Sequence, residues 1–417
     1  MNKNTIIKND PSEKTFALTI EEASVQLERL VSSYLLKNKD GSYVIPFNKQ
    51  RPVMLMGAAG IGKTDAPRQT AEKLGIGFVS YSMTHHTRQS AMGLPKIIEK
   101  NFSGTNELTT EYTMSEIISS VYDEIARTGN KNGILFLDEI NCIPESMSAV
   151  MLQLFQNKTL GQSRIPDGWV LVLAGNPSEY NKSVKLFDAV TRDRLRIINV
   201  IPDAKAWINY AERKNLNAAV ISYIASDEEK IHCFDSESSQ IVTPRGWEEL
   251  SLNIDVFSEN GYPITAELVA EFIGMPDIAA EFYDYYDMIT RNVTEKNIEE
   301  IINGTAGNKL TELVKNSSGS VRYMLIVCLK KRLRTFAVEK NYTAASEAMN
   351  NIVSFLEKSC KTTGEAELFM SGILSDAEIV KMTISTRNEY FGKYLNELAT
   401  AEDLIKKQIR QRKKEAI

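Results

Sequence analysis

Residues 57–64 have the types and spacing of a phosphate-binding loop. They fit the pattern G-x-x-x-x-G-K-[ST] at every fixed position, in the order Gly57, Ala58, Ala59, Gly60, Ile61, Gly62, Lys63, Thr64. Glycines let backbone N–H groups turn toward phosphate oxygens, and a helix that starts at this point adds partial positive charge. Lys63 can then reach the β- and γ-phosphates of a nucleotide, and the Thr64 hydroxyl can bind Mg²⁺. This pattern predicts a site for a nucleoside triphosphate.

The elements on either side of this loop agree with the prediction. The apolar run at 53–56 is typical of a buried strand, and a helix-like run that extends to Leu74 stops at Gly75. Pro67 falls within the first two turns of that helix, where a proline can introduce a kink. The alternative is a glycine-rich turn with a chance Lys-Thr pair, and the joint match of pattern and context disfavours it.

Two carboxylates follow a second apolar run. Residues 134–137 predict a buried strand, and Asp138 and Glu139 stand at its exit. In an enzyme with a phosphate-binding loop, the first carboxylate completes the Mg²⁺ shell, often through water, and the second polarises the attacking water. A surface turn after a core strand is the alternative, but the complete loop upstream favours the catalytic interpretation.

A third apolar run, 170–174, leads into Gly175, Asn176 and Pro177. The Asn176 amide can hydrogen-bond the attacking water or the γ-phosphate. An Asn before a Pro is also an ordinary strand-ending turn. The two preceding motifs favour the catalytic role for Asn176.

Three arginines within five residues, Arg192, Arg194 and Arg196, precede another predicted strand. A guanidinium that reaches a phosphate across a subunit boundary would stabilise charge in the transition state. Ion pairs with Asp188 and Asp193 are the structural alternative. Residue types and spacing do not choose among the three arginines.

Arg245 follows Thr243 and Pro244 at a predicted helix start, a position that suits proline. Its guanidinium can point toward a bound nucleotide, and a structural salt bridge is equally compatible with the sequence.

Composition and charge exclude several classes of protein. The chain has 417 residues, of which 43% are hydrophobic and 25% charged, as in ordinary globular proteins of two or three domains. No apolar run approaches the roughly 18 residues that span a bilayer, and we expect no secretory signal. The net charge of −5 argues against bulk attraction to nucleic acid or anionic membranes. The four cysteines are too widely spaced for a zinc site or a disulfide framework, so we expect a reducing cytoplasm.

Strand-like and helix-like runs alternate between residues 50 and 200. The predicted strands are 53–56, 78–83, 134–137, 170–174 and 197–201, and the predicted helices include 63–74, 114–127 and 145–156. This alternation predicts an α/β fold with a parallel sheet covered on both faces and a ligand beyond the carboxyl ends of the strands. Residues 95–112 interrupt the alternation and predict a short hairpin.

The ends of the chain carry weaker signals. Thr19, with Glu22 three residues on, predicts the start of a helix that extends to Leu36. From about residue 203 onward strand signals vanish. A basic run at 406–414 is interpreted as a solvated helix end rather than a contact with a partner or RNA.

The ordered set of motifs resembles the AAA+ ATPases, and among them the MoxR-like group of the clade with an insert in the second helix. The resemblance covers roughly residues 20–275. It rests on the Walker A motif at 57–64, the Walker B motif at 134–139, Asn176 as sensor one, Asp193-Arg194 before the fifth strand, and Arg245 as sensor two. Residues 164–169 resemble the pre-sensor hairpin, and Gly93-Leu94-Pro95 with the hairpin at about 95–112 resembles the insert.

This resemblance implies a domain plan and a set of roles. The plan is a flexible leader at 1–15, a P-loop core with a five-stranded parallel sheet at 16–202, a helical lid at 203–278 and a helical extension of unknown role at 279–417. The implied cofactors are ATP and Mg²⁺, with Thr64 and Asp138 as metal ligands and Arg245 at the nucleotide. The implied catalytic residues are Lys63, Asn176, Glu139 as general base and Arg194 as the arginine finger.

Three functional hypotheses follow. The first is an ATP-hydrolysing chaperone in a hexameric ring that acts on a protein partner, for which the resemblance implies a von Willebrand factor A-domain protein and a role in metal or cofactor insertion. The second is a nucleic-acid-linked motor like the GTP-using restriction subunits of the same clade, which the acidic chain and the sequence around Asn176 disfavour. The third is a scaffold that binds ATP but barely hydrolyses it, against which the full catalytic set argues.

Overall fold

The computed structural model describes residues 16–85, 88–180, 184, 187–360 and 364–399. Contacts divide them into two compact units: one holds the chain up to Ala206 and the stretch Ile231–Gly246, and the other holds Trp207–Lys230 and the chain from Trp247 onward. The predicted leader at 1–15 and the basic run at 406–414 lie outside the described residues. The boundaries predicted at 202 and 278 stay predictions.

The first unit is built on a parallel sheet of six strands in the order β1-β10-β2-β9-β6-β3. In chain order the strands of this unit are β1 (Ala17–Leu18), β2 (Val53–Gly57), β3 (Gly77–Ser82), β4 (Pro95–Phe102), β5 (Thr105–Tyr112), β6 (Gly133–Asp138), β7 (Thr159–Leu160), β8 (Ser163–Arg164), β9 (Trp169–Gly175), β10 (Arg196–Val200), β11 (Cys233–Asp235) and β12 (Gln240–Val242).

The five predicted strands of the sheet are confirmed to within one residue at each end. The predicted count of five was wrong, because β1 adds a sixth strand that pairs in parallel with β10. Two residues are too few to show any hydrophobic period, so sequence patterning could not have found β1.

The helices of the first unit are α1 (Ile20–Leu35), α2 (Asp65–Leu74), α3 (Arg88–Met92), α4 (Glu116–Thr128), α5 (Glu145–Asn157) and α6 (Ala189–Asp193). Thr19 caps α1 as predicted: its hydroxyl accepts a hydrogen bond from the Glu22 N–H, and the Glu22 carboxylate accepts one from the Thr19 N–H. Pro67 does not break α2, because the helix begins at Asp65 and the proline lies in its first turn, where its missing N–H has no intrahelical partner.

Alternate residues of the sheet strands enter different cores. Leu55 and Phe136 pack with Leu27 of α1 on one face, whereas Met54 and Leu135 pack with apolar residues of α4 and α5 on the other. Strands buried on both faces must be apolar at every position, which is why the runs that predicted them were continuous rather than alternating.

Three antiparallel hairpins complete the unit. β4 and β5 form the hairpin predicted at 95–112. β7 and β8 form a small hairpin that overlaps the predicted 164–169 only at Arg164, and Trp169 already begins β9. β11 and β12 contradict the prediction that strands vanish after about residue 203; each has only three residues, too short a stretch to separate from helix by pattern.

Among the described residues of the second unit, helices and the loops between them are present but no strands. Its helices are α7 (Ala204–Arg213), α8 (Ala218–Ser226), α9 (Pro244–Glu259), α10 (Ala266–Phe272), α11 (Pro276–Asn292), α12 (Glu295–Ile302), α13 (Asn308–Lys315), α14 (Gly319–Val338), α15 (Tyr342–Ser359), α16 (Glu365–Leu374) and α17 (Ala377–Thr386). α14 packs against α8, α15, α16 and α17 and so lies at the centre of the unit. Within the described residues, no helix is both long enough and apolar enough to cross a lipid bilayer.

Candidate nucleotide-binding site

The predicted site residues gather at one edge of the sheet. β2 ends at Gly57, β3 at Ser82, β6 at Asp138 and β9 at Gly175. Because these strands are parallel neighbours, their carboxyl ends lie side by side, and segments far apart in sequence meet there.

The loop after β2 depends on glycine for its shape. Gly60 and Gly62 have φ values of +73° and +91°, which side chains other than glycine rarely adopt. A Cβ at Gly60 would also lie 2.9 Å from the Thr243 Cβ and 3.2 Å from the Arg245 Cβ. Arg245 therefore stands beside the loop, as its predicted role requires.

Lys63 is buried beneath this loop and is only 8% exposed. Its Nζ donates to the carbonyl oxygens of Gly57 at 2.9 Å and Ala58 at 2.5 Å, and to the Asn176 Oδ1 at 2.9 Å. Burial lowers the pKa of Lys63 to about 8, although the nearby carboxylates of Asp138 and Glu139 act in the opposite direction. A buried ammonium that is held by neutral acceptors attracts phosphate oxygens strongly, because burial reduces the screening by solvent.

Thr64 and Asp138 form the candidate magnesium site. The Thr64 hydroxyl donates to the Asp138 Oδ2 at 2.8 Å, so two oxygen ligands lie side by side next to the loop. Mg²⁺ prefers hard oxygen ligands and takes one or two protein groups besides phosphates and waters. The two residues fit that ion.

Two hydroxyls hold the Glu139 carboxylate. Ser82 Oγ and Thr84 Oγ1 both donate to the Glu139 Oε2 at 3.2 Å. Glu139 has a φ of +55°, a left-handed conformation that costs energy in a residue other than glycine and that often accompanies function. Sequence analysis missed Ser82 and Thr84; the available signal was two hydroxyl residues at the carboxyl end of a predicted strand.

Asn141 is hydrogen-bonded to the backbone of Asn176. Its Nδ2 donates to the Asn176 backbone oxygen at 2.7 Å, and Asn141 is only 2% exposed. A Cβ at Gly175 would lie 2.6 Å from the Asn141 Oδ1, so only glycine allows this approach. Sequence analysis missed Asn141 as well, since an asparagine three residues after a Walker B aspartate carries no distinctive pattern.

The predicted arginines do not join the site of their own chain. Arg196 begins β10 and pairs with Val53, the first residue of β2, whereas the loop follows the last residue of β2. The length of β2 separates the two edges by roughly 13 Å at 3.3 Å per residue. Arg192, Arg194 and Arg196 therefore stand at the amino edge of the sheet, opposite the phosphate-binding loop.

The acidic neighbours of these arginines have other roles. The Asp188 Oδ1 accepts a hydrogen bond from the Thr191 N–H at 2.7 Å and so caps α6, and the contacts with Thr191 hold the pKa of Asp188 below its usual value. Asp193 lies 3.6 Å from the Arg51 guanidinium. Of the three arginines, Arg192 and Arg196 are exposed, and Arg194 is half-buried.

Residues 52–195 match the family model described as the AAA domain of the dynein-related subfamily. The match supports an AAA+ ATPase. The matched residues include the loop, both carboxylates, Asn176 and Arg194, while Arg245 and the second unit lie outside the match. No curated protein matches the chain.

Proposed function

We propose that this protein is an ATP-hydrolysing AAA+ motor of the MoxR type that remodels a protein partner. The observation that carries the proposal is the convergence of Lys63, the Thr64–Asp138 pair, Glu139 and Asn176 at the carboxyl edge of one sheet. A scaffold that only binds ATP has no need for a carboxylate and an amide beyond the magnesium pair.

Each of these residues has a distinct role in the proposed reaction. The N–H groups of residues 57–64 and Lys63 bind the triphosphate, and Thr64 and Asp138 would hold Mg²⁺, which supplies positive charge to the β- and γ-phosphate oxygens. Glu139 accepts a proton from the attacking water, and Asn176 orients that water or the γ-phosphate. Arg245, beside the loop, adds a further positive charge.

Arg194 completes the reaction from a second copy of the chain. Because the arginines lie at the amino edge of the sheet, they are too far from the loop of their own chain to contact its nucleotide. A hexameric ring with the nucleotide between subunits would bring Arg194 to the next loop. In this ring, ATP turnover would move the helical lid proposed at 203–278 and act on a partner.

The partner belongs to the same proposal. The MoxR resemblance supports a von Willebrand factor A-domain protein as the partner, a role in complex maturation or in metal or cofactor insertion, and a cytoplasmic location. The negative net charge of the chain disfavours the alternative of a motor that acts on nucleic acid.

ATP turnover by the purified full chain tests the proposal, with Glu139→Gln as the decisive variant. The control is Glu124→Gln, a partly buried carboxylate of α4 that pairs with Arg127. We expect Glu139→Gln to lose at least about 100-fold in kcat while still binding MgATP, and the control to retain the wild-type rate. Unchanged turnover in Glu139→Gln would overturn the proposal.

Assembly is tested separately by measuring mass after size separation, with and without MgATP, using Glu139→Gln to retain the nucleotide. A ring that forms only with nucleotide is expected. A monomer under every condition, together with full turnover, would remove Arg194 from the mechanism.

A further inference from the structure

The Arg194 guanidinium is held on two sides by its own chain. Its Nη1 donates to the Val190 backbone oxygen at 2.7 Å. Its Nε and Nη2 both donate to the amide oxygen of Gln156, the second at 2.8 Å. The Gln156 amide takes this orientation because the opposite one would set its N–H groups against those of the guanidinium.

These contacts use three of the five N–H groups of Arg194 and leave one on each terminal nitrogen. A guanidinium with a free N–H on both terminal nitrogens can still bind two oxygens of one phosphate. The contacts thus fix the plane of the guanidinium without occupying the donors that a phosphate needs.

Arg194 and Gln156 are both flanked by residues of the same hydrophobic core. Leu154 and Phe155 of α5 lie in the same buried core as Leu195, the residue after Arg194. The Phe155 ring meets the Phe187 ring edge-on, with centroids 6.5 Å apart. Both the donor and the acceptor of the Arg194–Gln156 contact are therefore anchored by buried neighbours.

From this geometry we infer that Gln156 is the positioning residue for Arg194 and that Arg194, rather than Arg192 or Arg196, is the arginine finger. The inference rests on the proposed function. Gln156 holds the guanidinium in the plane in which it meets the γ-phosphate bound to the next subunit, so the transition state is reached without first ordering a flexible side chain. Without Gln156 the finger keeps its charge but loses its orientation.

The variant Gln156→Met tests the inference, because methionine keeps the volume and the aliphatic packing of glutamine and removes the acceptor. Gln153→Met is the matched control: Gln153 lies one turn earlier on α5, and its amide donates to the Thr159 hydroxyl at 3.2 Å. We expect Gln156→Met to lower kcat by about 10- to 100-fold with less than about threefold change in KM for ATP, and Gln153→Met to leave both unchanged.

A mixing experiment separates positioning from folding. Glu139→Gln subunits cannot hydrolyse ATP but supply a finger, and Arg194→Ala subunits lack a finger but keep an intact site. Mixing the two should restore turnover that neither shows alone. When the Glu139→Gln subunits also carry Gln156→Met, the restored rate should be lower by at least about 10-fold. When the Arg194→Ala subunits carry Gln156→Met instead, the restored rate should not change.

Each outcome has a definite meaning. A restored rate that Gln156→Met lowers only in the finger-supplying subunits supports the inference. A restored rate that is insensitive to Gln156→Met, or equally sensitive in both subunits, overturns the inference and leaves the proposed function intact. The third outcome is that wild-type protein hydrolyses ATP but the mixture of Glu139→Gln and Arg194→Ala subunits shows no turnover. In that case Arg194 does not act between subunits, and both the inference and that part of the proposed function are wrong.

Discussion

The Lys63 Nζ donates a hydrogen bond to the Asn176 Oδ1 at 2.9 Å, although 113 residues separate the two in the chain. The contact joins the phosphate-binding lysine directly to the polar residue at the end of β9. A γ-phosphate bound by Lys63 would thus be in reach of Asn176 as well. Three predictions follow from this pair and from its neighbours, and a fourth concerns Lys158, a buried lysine at the end of α5.

Asn176→Asp should weaken MgATP binding by at least about 10-fold. A carboxylate at this position would form an ion pair with Lys63 and repel the γ-phosphate, so the ligand would compete with a charge already in the site. Calorimetric titration with a non-hydrolysable ATP analogue measures the effect. Asn106→Asp, at the exposed hairpin tip where the Asn106 oxygen accepts from Asn101, carries the same charge change and should bind normally. Equal affinity in both variants would contradict a shared Lys63–Asn176 phosphate site.

Thr64→Val should raise the Mg²⁺ concentration needed for half-maximal turnover by about 10-fold or more. Valine keeps the shape of threonine but removes the oxygen that lies 2.8 Å from Asp138, so the ion loses one of its two protein ligands. Turnover at a series of Mg²⁺ concentrations gives the shift. Thr70→Val is the matched control, since the Thr70 hydroxyl on the same helix bonds only to the Ala66 carbonyl in the described structure. The prediction fails if the two variants need the same Mg²⁺ concentration.

Removing both hydroxyls that hold Glu139 should lower turnover more than nucleotide binding. In Ser82→Ala/Thr84→Val the carboxylate loses two hydrogen-bond donors at 3.2 Å, and a general base that is no longer oriented transfers protons less efficiently. We expect kcat to fall by about fivefold or more, with the dissociation constant of MgATP nearly unchanged. Ser119→Ala, which removes a hydroxyl that bonds to the Glu116 carbonyl, serves as the control. A wild-type kcat in the double variant would show that these hydroxyls have no part in catalysis.

Lys158→Met should stabilise the first unit, and the gain should shrink as pH rises. Lys158 is 3% exposed, and burial lowers its pKa from 10.5 to about 7. Between these values the unfolded chain binds more protons than the folded one, so the wild-type free energy of unfolding rises with pH from about 7 toward 10.5. At and below pH 7 the buried lysine exerts its full destabilising effect, on the order of 5 kcal/mol from the fall in pKa from 10.5 to about 7.

Urea unfolding of wild type, Lys158→Met and the exposed control Lys131→Met at pH 6, 7.5 and 9 measures this difference. The Lys158→Met advantage should be largest at pH 6 and smaller at pH 9, and Lys131→Met should follow wild type. An advantage that is the same at all three pH values would mean that the gain comes from packing and not from the charge of Lys158.

Much of the site was predictable because it depends on local rules. The loop pattern at 57–64, the strand that ends in Asp138-Glu139 and the strand that ends in Asn176 each combine a continuous apolar run with polar residues at its exit. Such a run indicates a strand buried on both faces, and parallel strands share a carboxyl edge, so the meeting of these residues follows from the sequence pattern alone. The hairpin at 95–112 and the cap at Thr19 were predictable for the same reason, since turns and caps are specified within a few residues.

Other features depend on contacts between residues far apart, and no local pattern encodes them. The two-residue β1 exists only because the edge of β10 is available for pairing, and the short β11–β12 hairpin is equally dependent on its surroundings. Ser82 and Asn141 belong to the site only because the fold brings them within hydrogen-bond distance of Glu139 and Asn176, respectively. Residue types and spacing did not distinguish the three arginines at 192–196, and only the family resemblance pointed to Arg194. The contact of Arg194 with Gln156, which lies on a different helix, could not be predicted, because it depends on the packing of Phe155 and Leu195 in one core. Local patterns specify the strands, turns and motifs, whereas the partner of each side chain is decided by how the helices pack on the sheet.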